Sequence, residues 1–150
     1  MVLEKTAEKV PVMYGRFQPF TVEDLETLKK LSCGGMKRVV LLYIRSHQGY
    51  ANTPFKSATV KKMLELIKNN YPDLVSEVFY SDDWDIRCAL SRKCISAERT
   101  VESDHNSIKA AVARLALSMN SEKEFYRCTP DCIHSMYREL RDEICRYSAS

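Results

Sequence analysis

Glycine and proline are scarce in this chain: four glycines and five prolines in 150 residues. That leaves little room for linkers, and the sequence contains no low-complexity segment, internal repeat or Gly/Ser connector, so it reads as mostly regular structure. Long apolar runs are also missing, and none approaches the roughly 20 residues that a membrane-spanning helix needs. The opening MVLEKTAEKV interleaves Glu and Lys, so no secretory leader is expected and a cytoplasmic setting is. Excess charge is missing too. A net charge of +3 helps an anionic ligand approach but is no nucleic-acid signature.

What is present fits one globular domain, with 45% apolar and 29% charged residues over a length that buries one core and not two. The six cysteines (Cys33, Cys88, Cys94, Cys128, Cys132 and Cys145) are irregularly spaced. Without a secretory leader they read as free thiols rather than a disulfide framework. CTPDCIH holds Cys128, Cys132 and His134, which are metal-ligand types, but a second ligand pair at matching spacing is missing.

The first half alternates strand and helix signals. VPVMYGRF is a short apolar stretch running into a turn at Gly15, and TVEDLETLKKLSCGG is a helix stopped by Gly34 and Gly35. KRVVLLYIR is a continuous apolar run, the pattern of a strand buried on both faces of a parallel sheet. SATVKKMLELIKNNYP places Val60, Met63, Leu64 and Ile67 at helical spacing, and LVSEVFY reads as a third strand. A β-α-β-α-β order with short connections predicts an α/β fold with a Rossmann-like, doubly wound, mostly parallel sheet.

In the second half, DDWDIRCALSRKC predicts a helix with Ile86 and Leu90 inward, CISAERTV a short strand and EFYRC a last strand. SDHNSIKAAVARLALSMN predicts a helix capped by Ser103, with Ile108, Val112, Leu115 and Met119 as its core stripe. TPDCIHSMYRELRDEICRY predicts a helix capped by Thr129 with Pro130 at its first position. Its core stripe is Ile133, Met136, Tyr137, Leu140 and Ile144.

GRFQPF (Gly15 to Phe20), placed between a first strand and a helix, resembles the nucleotide loop of the nucleotidyltransferase superfamily. These are Rossmann-like enzymes such as nicotinamide-mononucleotide adenylyltransferase and glycerol-phosphate cytidylyltransferase. SHQGYANTPF (Ser46 to Phe55) is similar to the Ser-x-Gln and Asn-Pro-aromatic segment of the adenylyltransferase branch, with Thr53 inserted between Asn52 and Pro54. Together the two matches cover about the first 80 residues.

The resemblance implies attack of an acceptor oxygen on the α-phosphate of ATP or CTP with Mg²⁺, releasing pyrophosphate, by positioning and electrostatics. It implies that Gly15, Arg16 and Phe17 lie beneath the nucleotide, with Gln18, Phe20, Ser46 and Gln48 shaping the same site. Thr21 and Asp24 fall on the positions of the family's catalytic (H/T)-x-x-H motif. Thr is a normal alternative at the first position; at the second the family has histidine. An ionised aspartate has only acceptors to offer where a histidine donates to phosphate oxygens, and Glu23 adds a second negative charge beside it. The family's late Ile-Ser-Ser-Thr-x-x-Arg segment has no clear counterpart: CISAERT (Cys94 to Thr100) and RCTPDCIH each match only in part.

FTVEDL also reads without any enzyme. Thr21 is an N-cap, Asp24 takes the acid position of a capping box, and Phe20 and Leu25 stand at the two positions of a hydrophobic staple. Glu23 and Asp24 in the first turn complement the helix dipole, and as a carboxylate pair they are also a candidate Mg²⁺ site.

Other residues carry similar alternatives. His47 either replaces a lost imidazole at the carboxyl edge of the sheet or is solvated. His134 is a packed or surface histidine. Lys56, Lys61 and Lys62 either meet a triphosphate tail or form a solvated face. Trp84 either stacks on a base or anchors an acidic loop to the core.

Two functional classes are therefore expected. One is a diverged nucleotidyltransferase, impaired or with altered phosphate-site residues, that keeps nucleotide binding. The other is a pseudoenzyme scaffold for a protein partner or for self-association. The short chain and eroded motif also suit a virus-encoded accessory protein.

Overall fold

The computed structural model of the protein describes residues 9–45 and 52–149. The apolar runs become four strands: Val10–Gly15 (β1), Val39–Ile44 (β2), Val75–Ser81 (β3) and Ala97–Ser103 (β4). All pair in parallel, in the order β3-β2-β1-β4. Every residue of β2 is buried, as its unbroken Val/Leu/Ile composition requires of a strand covered on both faces.

One face of the sheet carries most of the helices: Val22–Leu31 (α1), Ser57–Asn70 (α2), Ile108–Ser118 (α4), Glu122–Cys128 (α5) and Tyr137–Ala149 (α6), with a 3₁₀ helix at Asp131–Met136 before the last. Their inward side chains join Met13, Leu41 and Tyr43 of the sheet in the main core. The opposite face is covered by Ile86–Arg92 (α3), whose Ile86, Ala89 and Leu90 pack on Val12, Val40, Leu42 and Ile44. Among the described residues no helix is long and apolar enough to cross a membrane.

The α2 stripe of Val60, Met63, Leu64 and Ile67 is buried, as is the stripe of Ile133, Met136, Tyr137, Leu140 and Ile144. Three expectations are corrected. EFYRC is not a strand but lies within α5, where Phe125 and Cys128, three residues apart, share the buried side of a helical turn. Ser103 ends β4, and the cap of α4 is Ser107, whose hydroxyl accepts from the Ala110 N–H at 3.2 Å.

The third correction concerns the α4 stripe, which faces outward. Ile108, Leu115 and Met119 are 81%, 58% and 71% exposed, whereas Ala110, Ala113, Ala116 and Leu117 are buried. The segment Thr129 to Met136 also departs from expectation in detail. The Thr129 hydroxyl donates back to the Phe125 carbonyl at 2.9 Å, and Pro130 caps a 3₁₀ turn before α6 begins.

Candidate functional site

In an open parallel sheet ligands bind outside the carboxyl ends of the strands, where the chain reverses its direction of travel across the sheet. Here that point lies between β1 and β4, at the paired residues Gly15 and Ser103, and the GRFQPF turn and the start of α1 stand directly over it.

The capping box of α1 is complete. The Thr21 hydroxyl accepts from the Asp24 N–H at 3.3 Å, and the Thr21 N–H donates to Asp24 Oδ2 at 2.9 Å. The other carboxylate oxygen, Oδ1, accepts from the Ser103 hydroxyl at 2.6 Å. Asp24 therefore ties the first helix to the end of β4, 79 residues later. Burial raises its pKa to about 6, against the lowering effect of the Ser103 and Thr21 hydrogen bonds. Glu23 points outward and is exposed.

The glycine of the loop serves a close approach of protein to protein. A β-carbon on Gly15 would lie 2.8 Å from the Ser103 carbonyl oxygen, so the space a glycine opens here is taken by β4. Phe17, Gln18 and Phe20 have no exposed surface. The two phenyl rings stack with centroids 5.7 Å apart, and both belong to the main core.

Gln18 clasps the segment after β2: its Oε1 accepts from the Phe55 N–H at 2.9 Å and its Nε2 donates to the Phe55 carbonyl at 3.4 Å. Arg114, buried on α4, donates to the Gln18 and His105 carbonyls at 2.8 and 2.7 Å. Asn52 and Asn106 are bonded at 3.0 Å, which joins the loop after β2 to the loop after β4.

The N-terminus of α2 is occupied in the same way. Its cap residue, Lys56, has no capping side chain. Instead Glu143 of α6 accepts from the Lys56 N–H at 2.8 Å and from the Thr59 hydroxyl at 2.6 Å. Nothing in the local sequence signals this partner, which comes from 84 to 87 residues away. Both helix starts that flank the crevice thus hold a carboxylate of the protein's own where an anionic ligand would lie.

Arg16 is the half-exposed member of the loop: burial raises the Tyr43 pKa and lowers that of His105, and the positive charge of Arg16 opposes the first shift and adds to the second. Beside Tyr43, a cleft of about 140 Å³ at the ends of β2 and β3 is lined by Arg45, Lys61, Tyr80 and Asp82. Its charges are engaged: Arg45 pairs with Asp82 at 2.7 Å, and the Lys61 ammonium lies 4.6 Å from the Tyr80 ring centre. A larger groove of about 1150 Å³, with Lys9, Arg38, Tyr71 and Asp73 among its walls, lies at the amino edge of the sheet, away from the loop.

Ser46, His47 and Gln48 lie outside the described residues. Lys62 pairs with Glu139 at 2.9 Å and Lys56 is exposed. Trp84 is 85% exposed and anchors nothing to the core. The His134 Nε2 sits 3.2 and 3.0 Å from the Tyr126 and Thr129 carbonyls, with its ring stacked on Tyr126, so it is a packed histidine. Among the described residues no group of three or more His, Cys, Asp and Glu side chains is placed to hold a metal ion. No protein-family model matches the chain, and no curated protein does.

Proposed function

We propose that this protein is a non-catalytic scaffold of nucleotidyltransferase-like design, in which the nucleotide loop has become an internal clasp and the molecule acts through protein contacts. The observation that carries this reading is the buried Asp24 carboxylate, bonded to the Thr21 N–H and the Ser103 hydroxyl at the place where a phosphate would meet the start of α1. For a phosphate to enter, Asp24 must leave a site in which both of its oxygens are hydrogen-bonded, and a buried acceptor-only group repels the incoming anion. Gln18 and Gly15, the other loop residues the resemblance assigns to nucleotide, are committed to Phe55 and to Ser103.

Nucleotide titration followed by thermal unfolding tests the reading, since any ligand that binds only the folded state raises the melting temperature by mass action. With Mg²⁺ and about 5 mM ATP or CTP no rise is expected. Nor is pyrophosphate released with nicotinamide mononucleotide or glycerol phosphate as acceptor. A rise that disappears in Arg16→Ala, or turnover of either acceptor, would overturn it. One observation favours retained nucleotide binding: Arg16, Arg45 and Lys61 gather positive charge around Tyr43. The same titration in Lys61→Ala reads out that alternative.

A further inference from the structure

The outer face of α4 has the composition of an interior. Its exposed positions are Ile108, Ala111, Leu115 and Ser118, followed by Met119, with Val112 half-buried between them. No charge interrupts this face. The exposed positions of α1, by contrast, are Glu23, Glu26, Lys29 and Lys30, and those of α6 include Arg138, Asp142 and Arg146. Large apolar side chains collected on one helix face mark a contact surface, whereas scattered ones do not.

We propose that this face binds a second copy of the chain, with the two α4 helices packed antiparallel about a twofold axis. The proposal rests on the scaffold reading above and names its partner. Three features select this occupant. First, the stripe is symmetric about the point midway between Ala113 and Arg114. An antiparallel copy therefore sets Ile108 against Met119 and Val112 against Leu115, apolar against apolar, with Ser118 beside Lys109. Second, Ala111 and Ser118 are small and exposed, letting the two backbones approach to the 8–10 Å of packed helices.

Third, the ends are complementary in charge. Arg141 of α6 serves the last turn of α4, donating to the Leu117 and Ser118 carbonyls at 2.6 and 3.3 Å, and exposed Glu122 lies just beyond it. Lys109 stands in the first turn, so an antiparallel copy brings Lys109 of each chain to the Glu122 end of the other. A helix of this length is about 16 Å long, so the contact is smaller than the roughly 800 Å² per partner of a tight dimer. A dissociation constant of about 10–100 µM is expected rather than a nanomolar one.

Sedimentation of the full chain from about 5 to 500 µM tests this, spanning the expected constant. A monomer–dimer equilibrium is expected, and Leu115→Glu weakens it at least about tenfold while leaving near-ultraviolet circular dichroism unchanged. Lys109→Glu and Glu122→Lys each weaken it by about two- to fivefold, and the two together restore it. A chain monomeric at every concentration overturns the proposal, as does a dimer that Leu115→Glu leaves intact. Dimerisation seen only after removal of residues 1–8 also overturns it, assigning the face to that segment. Because nucleotide titration reads the crevice and sedimentation reads α4, the two proposals fail separately.

Discussion

The crevice over β1 and the outer face of α4 have exchanged the residues normally expected of them. A carboxylate, an amide and a threonine hydroxyl, the materials of a reactive site, are buried and bonded to one another or to backbone in the crevice. Isoleucine, leucine and methionine, the materials of a core, stand in solvent on α4. A polar group taken from water is stable only when its hydrogen bonds are made, so the crevice has turned its polar residues into structure. Of the apolar face, Val112 packs partly on the core, while Ile108, Leu115 and Met119 stay exposed. The difference separates two kinds of importance: the crevice holds the fold, and the α4 face is free to hold something else.

The largest effect is expected at Gly15→Ala, because the new methyl group meets the Ser103 carbonyl oxygen at 2.8 Å and one strand end must shift. A loss of about 2–3 kcal/mol is expected, lowering the melting temperature by roughly 5–10 °C. A tolerated alanine would mean that β1 and β4 part easily and that the crevice can open.

Asp24 is comparable in size, and its signature is pH dependence. Its folded-state pKa is raised by burial from 3.8 to about 6, so the folded protein holds the proton more tightly than the unfolded chain. The stabilisation is full below about pH 4 and is lost as the pH rises through about 6, a contribution of order 3 kcal/mol. Asp24→Asn, whose amide can still accept from Thr21 and donate to the Ser103 oxygen, should abolish this component. The stability difference between variant and wild type should therefore move in the variant's favour from pH 4 to pH 7.5, as measured by urea unfolding. A constant difference would show that the carboxylate titrates as an exposed one does.

The smallest effect belongs to α4. Leu115→Ser should change monomer stability by less than about 0.5 kcal/mol in dilute solution, since an exposed side chain away from special features contributes little. A large loss would mean that this leucine is packed within its own chain.

The first half of the fold was legible because its signals are local. The unbroken apolar run of β2 reports burial on both faces, and the four-residue rhythm of α2 reports one buried side. Thr21 and Asp24 announced the capping box by spacing alone. The α4 error has a physical cause: periodicity says which residues share a face, not which face packs. That helix has two apolar faces, and the one chosen for the interior is the smaller, Ala110–Ala113–Leu117, which lets the helix lie close to the core. Phe125 and Tyr126 favoured a strand by composition, but tertiary packing of Phe125 against Tyr137 lies in a helix. The contacts that close the crevice were beyond reading, because Ser103 to Asp24 and Arg114 to Gln18 join residues 79 and 96 positions apart.

Glu143 carries a consequence for how the protein is made. The half of the chain with the clearest pattern leaves the ribosome with α2 open at its start, because the carboxylate that completes it sits on α6. A fragment ending before Tyr137 lacks the cap for Lys56 and Thr59, so final consolidation of the second helix waits until α6 has been made.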